Sequence, residues 1–445
     1  MRKQVDMLHG SLWDKLLLFA LPLAATSILQ QLFNAADVAV VGNFAGNSAL
    51  AAVGANGPVI NLLVNLFVGL SVGTNVVVAS FIGSDNQKKA NQAVHTSILL
   101  ALVSGIVLLV IGIGCARPIL EMMSTPEDVI DLATLYLKIY FSGMPFIMLY
   151  NFTAAILRSK GDTKRPLIAL IISGSVNVVL NLVFVIMFHM SVEGVAIATV
   201  ISNIISSLIL LYCLTQEQGA LRVNLKELKF HKHILIQIAK IGVPTGLQSA
   251  VFSISNVLIQ SSLNDFGSAT VAASAAALNY EYFSYFIISA FSQAAVTFIG
   301  QNYAAKNYQR CKQITKWTIL LGGIATVIIT IIFLVFHELC ISFFTSDPHI
   351  AALAYTRMYI VLSLEIINMF IELLSAFMRG IGYSSTPAII CVLGICGLRI
   401  LYIYTLYPMI ASYDHLLMIY PVSWVCTALA LAIAYYHVQK KELSY

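Results

Sequence analysis

Apolar residues dominate this chain in twelve stretches separated by short polar breaks. They run over residues 15–41, 52–80, 93–115, 133–157, 166–188, 195–214, 237–262, 270–299, 315–336, 352–378, 387–408 and 416–437. A helix needs about 20 mostly apolar residues to cross the hydrocarbon core of a bilayer. Each stretch therefore predicts one membrane-spanning helix, and several are long enough to tilt. Pro22, Pro145 and Pro244 fall inside stretches. Each removes a helix hydrogen bond and predicts a bend, which is tolerated where protein or a water-filled cavity accepts the freed carbonyl.

Composition agrees with this pattern. Apolar types make up 59% of the 445 residues and charged types 10%, against about 25% charged in a typical soluble domain. Most of the surface must face lipid, and the bilayer is the first expected partner. Nothing in the composition points to nucleic acid. The seven cysteines are odd in number and scattered, which predicts free thiols and neither a disulfide framework nor a metal cage. The basic N-terminus and the first apolar stretch lack a small-residue cleavage site, so an uncleaved first helix is expected.

Orientation follows from Lys and Arg in the short loops. With the N-terminus in the cytoplasm, 21 of the 25 Lys and Arg fall on that side, from Arg2 and Lys3 through Lys160, Lys164 and Arg165 to Lys440 and Lys441. The exceptions are Arg117, Lys138, Arg357 and Arg399, and the acidic run Glu121, Glu127, Asp128 and Asp131 falls outside. An even number of spans returns the C-terminus to the cytoplasm.

The longest polar break, residues 216–236, divides the chain into two halves of six spans, 1–215 and 237–445. The halves resemble each other. Leu157-Arg158-Ser159-Lys160-Gly161 with Pro166 recurs as Met378-Arg379-Gly380-Ile381-Gly382 with Pro387, and Pro22 and Asn34 recur as Pro244 and Asn256. Tyr136-Leu137-Lys138-Ile139-Tyr140 recurs as Tyr355-Thr356-Arg357-Met358-Tyr359. Matches in the same order predict a duplicated, all-α membrane protein of two pseudo-symmetric six-helix bundles. Parallel repeats of this kind place a substrate site between the halves.

Ionisable side chains inside a membrane are costly and mark functional candidates. The intramembrane acids are Asp37, Glu281, Glu365 and Glu372. Gln30, Asn34 and Asp37 recur at helical spacing on one face, as do Ser173, Asn177 and Asn181 on the fifth span. Such stripes suit either a pocket or amides bridging helices. A carboxylate in a dry pocket is stable when it carries a proton; among amide oxygens it suits a hard cation such as Na⁺. Glu281 stands among Tyr280, Tyr282, Phe283, Tyr285 and Phe286. One anion among aromatic faces suits a bulky organic cation, although aromatics more often simply pack. Glu365, Asn368 and Glu372 share a face of the tenth span, where one glutamate is expected to pair with Arg399. Asn61, Asn65 and Asn256 are further candidate substrate contacts.

These residues resemble the MATE family (multidrug and toxic compound extrusion). The resemblance rests on Ala36-Asp37 followed by Val41-Gly42, on Leu157-Arg158 with Gly161-Asp162-Thr163-Lys164 and Pro166, on Gly194 to Thr199, and on Gly300-Gln301-Asn302. It covers nearly the whole chain. It implies efflux of organic, often cationic compounds in exchange for H⁺ or Na⁺, with no cofactor beyond that coupling ion, by a monomer in a bacterial plasma membrane. Carried over by motif, the family's ion site falls on Asp37, Asn177, Asn181 and Thr199, with Asn34 beside it, and these residues are the candidate Na⁺ ligands. One branch of the family has an aspartate where this chain has Asn181. Another has acids in the seventh and tenth spans, and at the matching places here, the Phe252 region and Asn368, this chain has none.

Two rival readings are weaker. A lipid-linked oligosaccharide flippase of related architecture calls for a strongly cationic cavity, and the spans carry few Lys or Arg. A membrane-embedded enzyme calls for a nucleophile–base set or metal cluster, and no H-E-x-x-H or Walker pattern is present. The charge bias makes a direct prediction. On a cysteine-free background, Leu225→Cys should react with an impermeant thiol reagent from the cytoplasmic side only, and Thr125→Cys from outside only. External labelling at 225 would reverse the orientation.

Overall fold

The computed structural model describes residues 5–123 and 125–443 and, of Asn47, the backbone alone; Arg2 and Lys3 lie outside the described residues. Among the described residues there is no β-strand, and eleven helices are long and apolar enough to cross a membrane, or twelve with one bent pair counted as a span. In chain order these are α1 (Trp13–Phe44), α2 (Ser48–Gly83), α3 (Gln87–Met122), α4 (Glu127–Ser142 with Met144–Ser159), α5 (Lys164–Met187) and α6 (Val192–Thr215). The second set comprises α7 (Lys232–Asn264), α8 (Ser268–Ala304), α9 (Tyr308–Val335), α10 (Pro348–Ile381), α11 (Ser385–Met409) and α12 (Tyr413–Glu442). Large apolar side chains such as Val110, Ile328, Leu429 and Ile433 are exposed, as a lipid-facing surface requires.

The duplication is written into the backbone. Left-handed residues recur 221 positions apart: Gly46 and Gly267 (φ 92° and 88°), Asp85 and Lys306 (52° and 60°), Gly161 and Gly382 (103° at the latter, 92° at the former). These positions end or begin helices, where αL geometry stops the hydrogen-bond ladder. The fourth span of each half is broken at the same level. α4 bends by 48° at Gly143, just before Pro145, and α10 passes through a short 3₁₀ turn at Leu362–Leu364. The fifth span of each half contains a π-helical segment, Val183–Met187 in α5 and Val392–Gly397 in α11. Pro145 thus produces the expected break, whereas the break in α10 has no proline behind it.

The described chain forms two compact units. One comprises Val5 and Ala25–Gly246; the other comprises Asp6–Ala24 and the chain from Leu247 onward. The boundaries fall inside α1 and α7, just past Pro22 and Pro244, so the polar 216–236 break stays wholly within the first unit. There Glu217 receives Lys160 Nζ at 3.0 Å and Arg165 Nη2 at 2.5 Å. Burial opposes the Glu217 charge, but these two bonds hold its carboxyl below the usual range.

In the second unit, the start of α1 packs Phe19 edge-on against Phe298, centroids 5.5 Å apart. Asn302 Nδ2 donates to Met7 O at 3.0 Å, and Arg310 fans its nitrogens over the carbonyls of Met7, His9 and Gly10 at 2.9–3.1 Å. In the first unit, the start of α7 meets α2 through two small-residue ladders, Gly69–Gly73 and Gly242–Gly246. A Cβ on Gly73 would lie 2.9 Å from Gly242 N, and one on Gly246 would run into the backbone of Leu66. Lipid offers no hydrophobic drive for helix pairing, so close backbone approach between glycines carries the contact.

Because the atoms opposing Gly246 are backbone, no rotamer change can relieve an added methyl. Gly246→Ala should destabilise the protein by about 1–3 kcal/mol, the usual cost of overpacking, and lower its unfolding midpoint in detergent. Gly54→Ala, with nothing within 4 Å of the added carbon, should leave the midpoint unchanged or raise it. Equal behaviour of the two variants would remove the glycine ladder as the basis of this contact.

Candidate functional site

In the first unit, α1 is set on α5 by Phe33, whose ring fills the space a side chain at Gly174 would need. One turn further along α1 and two turns further along α5, Asp37 meets Asn181. Asn181 Nδ2 donates to Asp37 Oδ1 at 2.5 Å and also contacts Asn177 Oδ1 at 3.3 Å. From α6, Thr199 Oγ1 lies 3.4 Å from Asp37 Oδ2 and 2.9 Å from Val195 O. One hydroxyl proton serves one acceptor at a time, and the shorter distance assigns it to Val195. Asn177 Nδ2 reaches Thr199 Oγ1 at 3.4 Å. Asp37 is 8% exposed, Asn177 4% and Asn181 0%.

The four residues carried over from the family resemblance therefore meet in space. Two properties of the cluster decide its chemistry. Among the described residues, no Lys, Arg or His forms an ion pair with Asp37, so its partners are neutral. Asn181 Oδ1 is buried and has no donor among the described residues. An acid with neutral donors and an orphaned oxygen nearby fits a small, hard cation or a proton. Asn181 is also the penultimate residue before the π segment of α5, a local irregularity often found at functional positions. Gln30 and Asn34, which share helical spacing with Asp37, are exposed and stay outside this cluster.

The second unit holds a different arrangement. Arg357 of α10 grips Glu281 of α8 with two bonds, Nε to Oε1 at 2.6 Å and Nη2 to Oε2 at 2.9 Å, and its Nη1 donates to Ser274 Oγ at 2.7 Å. Both partners are buried. The single anion expected among aromatics is thus already neutralised by the protein. Tyr280 turns inward as well: its hydroxyl donates to Cys340 O at 2.7 Å and its ring packs on Phe333 and Phe344. Tyr285 is exposed and lies in electrostatic reach of the half-buried Glu372. Glu365 is buried and accepts from Asn368 Nδ2 at 3.0 Å. Arg399 joins neither tenth-span glutamate; it donates to Asn256 Oδ1 at 3.2 Å and Ser423 Oγ at 3.4 Å. Asn61 is exposed and Asn65 half-buried in the first unit. Arg357, 76 residues from Glu281, is the partner that local spacing could not identify.

Removing one member of a buried ion pair strands the other charge, at a cost of about 3–5 kcal/mol. Glu281→Gln should therefore destabilise the protein by an amount in that range. Arg357→Gln on the same background should restore part of the loss, because the double variant leaves no unpaired charge. A double variant no more stable than Glu281→Gln, by thermal unfolding in detergent, would show that the pair is not coupled.

Comparison with known proteins agrees with this architecture. The MatE family model matches residues 22–183 and again 244–405, so each half carries one copy. Among relatives, the probable multidrug resistance protein YoeA of Bacillus subtilis is 29% identical over 397 residues, covering 88% of this chain and 86% of its own. The probable multidrug resistance protein NorM of Thermotoga maritima is 26% identical, covering 87% and 84%. Among solved structures, a MATE protein in complex with MaL6 superposes with a TM-score of 0.93 at 20% identity over the whole of both chains. An outward-facing multidrug resistance MATE transporter gives 0.89 at 22% identity, covering 100% of this chain and 98% of that one. Matched by the family model in both halves, this chain belongs to the MatE family of membrane transporters.

Proposed function

We propose that this chain is a multidrug exporter of the secondary antiporter type, moving organic, mainly cationic compounds out of the cell in exchange for inward H⁺ or Na⁺. The observation that carries this reading is the Asp37 cluster: a buried carboxylate with neutral donors and an orphaned amide oxygen beside it. Burying an unpaired charge costs several kcal/mol. The ionised form of Asp37 therefore calls for a partner that the cluster itself does not supply. A proton or Na⁺ entering from outside fills that role. Asn181, Asn177 and Thr199 orient the carboxylate and offer neutral oxygens to the ion.

A driving ion moves a substrate only if the two bias opposite states of one equilibrium, and each does so through its differential affinity. In this reading, ion binding at Asp37 favours the state that releases drug, and drug binding favours the state that releases the ion. Substrate contacts are assigned to exposed and half-buried polar or aromatic side chains: Gln30, Asn61 and Asn65 in the first unit, Asn256, Tyr285 and Glu372 in the second. Glu281 and Tyr280 support the second unit's packing from behind. Both termini are placed in the cytoplasm by the loop charges, and the chain works as a monomer.

The test is Asp37→Asn, which keeps size and hydrogen-bonding capacity and removes the charge. The variant should insert and bind drug, while export driven by an imposed gradient falls to the rate of protein-free liposomes. H⁺ and Na⁺ gradients are imposed separately, and the wild type's response to each identifies the driving ion. Near-normal gradient-driven export by Asp37→Asn would overturn the coupling role.

A further inference from the structure

We propose that Arg399 in the second unit is a binding point for an anionic group on the exported compound, a carboxylate in particular, so that zwitterions are favoured over their esters. The proposal rests on the reading of this chain as an organic-cation exporter and extends it to the substrate's second charge. The family-model matches, 22–183 and 244–405, set Ile259 at the position equivalent to Asp37 and, with the offset of 221 between Pro166 and Pro387, Arg399 within one residue of the position equivalent to Asn177. Where the first unit carries an acid among neutral oxygens, the second has lost the acid and gained a guanidinium. The local polarity is reversed.

Geometry supports a role beyond packing. Arg399 is 5% exposed, and a buried guanidinium normally has a carboxylate partner. Here Nη1 meets Asn256 Oδ1 at 3.2 Å and Nε meets Ser423 Oγ at 3.4 Å, both neutral and both long, while Nη2 makes no hydrogen bond among the described residues. No described carboxylate lies within ion-pair distance. Glu281 has both oxygens on Arg357, at 2.6 and 2.9 Å. The Tyr420 ring is shared, 4.6 Å from Arg399 and 5.2 Å from Arg357. A ring face softens the desolvation of a cation but supplies no net charge. Asn256, the weak partner at Nη1, is itself exposed. An incoming carboxylate replacing its oxygen would gain the paired, charge-assisted bonds that a guanidinium fork is built to make.

An oxyanion at Arg399 can come from the transported compound or from a lipid phosphate, and the test separates them. Binding of rhodamine B, a zwitterion near neutral pH, and of its cationic methyl ester is measured by fluorescence polarisation on the purified full-length protein. The expected result is about tenfold tighter binding of the zwitterion, within the range of one charge-assisted hydrogen bond. Arg399→Gln should collapse that ratio to near one, and Arg399→Lys should keep part of it. Equal binding of the two dyes by the wild type overturns the proposal and needs no variant, so it holds even if Arg399→Gln misfolds. A ratio unchanged in Arg399→Gln overturns it as well. Suppression of the zwitterion preference by short-chain phosphatidylglycerol, but not by short-chain phosphatidylcholine, would assign Arg399 to lipid and overturn the substrate reading. None of these readouts depends on an ion gradient, so failure here and failure of antiport are separately visible.

Discussion

Water is absent from the core of a bilayer, so a buried charge in a membrane bundle must be neutralised by the protein or by something that arrives. The two units of this chain answer that constraint differently. In the second unit Glu281 and Arg357 neutralise each other with two bonds and a supporting serine. In the first unit Asp37 is left with neutral donors. The contrast separates a charge that serves architecture from one available for work, although both are acids of similar burial on apolar helices. Glu281 has both oxygens held by a guanidinium, whereas the oxygens of Asp37 meet only an amide and a hydroxyl among the described residues.

Duplication makes this contrast readable, because each half serves as a control for the other. Shared features belong to the scaffold: the left-handed residues at helix ends, the broken fourth span and the paired prolines of α1 and α7. Features present once are free of that role. Asp37 has Ile259 at the equivalent position, Glu281 has Ile60, and Arg357 has the exposed Lys138. The first unit holds Ile60 and a solvated lysine where the second holds its ion pair, so that pair belongs to the second unit's own packing, and Ile259 shows that the shared frame does not require an acid at the Asp37 position.

What was legible in the sequence follows from the range of the forces involved. Spans come from local hydropathy, and every predicted stretch falls within one residue of the bounds of a helix or bent helix pair, although most helices extend past the apolar cores, as α3 does from Gln87 to Met122. The carried-over residues Asp37, Asn177, Asn181 and Thr199 do meet, because helical spacing and motif together placed them on facing surfaces. Spacing alone over-reached: Gln30 and Asn34 fit the stripe on α1 but stay exposed, since the contact that buries Asp37 begins at Phe33 against Gly174. Glu281 was read from its aromatic neighbours in sequence, while its true partner lies on another span. The Gly69–Gly73 and Gly242–Gly246 ladders were visible as spacing, but only their mutual approach gives the spacing meaning.

The unit boundaries carry the last step. They fall inside α1 and α7, next to Pro22 and Pro244, while the polar break at 216–236 lies within the first unit. A helix whose two ends belong to different compact units is a mechanical link between them. Proline at that junction removes one backbone hydrogen bond and so lowers the cost of bending there. The start of α7 is tied to α2 by glycine backbone contact, and the start of α1 is tied to α8 and α9 by Phe19, Asn302 and Arg310. Asp37 lies on α1 beyond the junction, four turns from Pro22 at about 1.5 Å of rise per residue. Asp37, Asn181 and Thr199 all lie in the first unit, so a bend at that junction turns the whole cluster against the anchored start of α1.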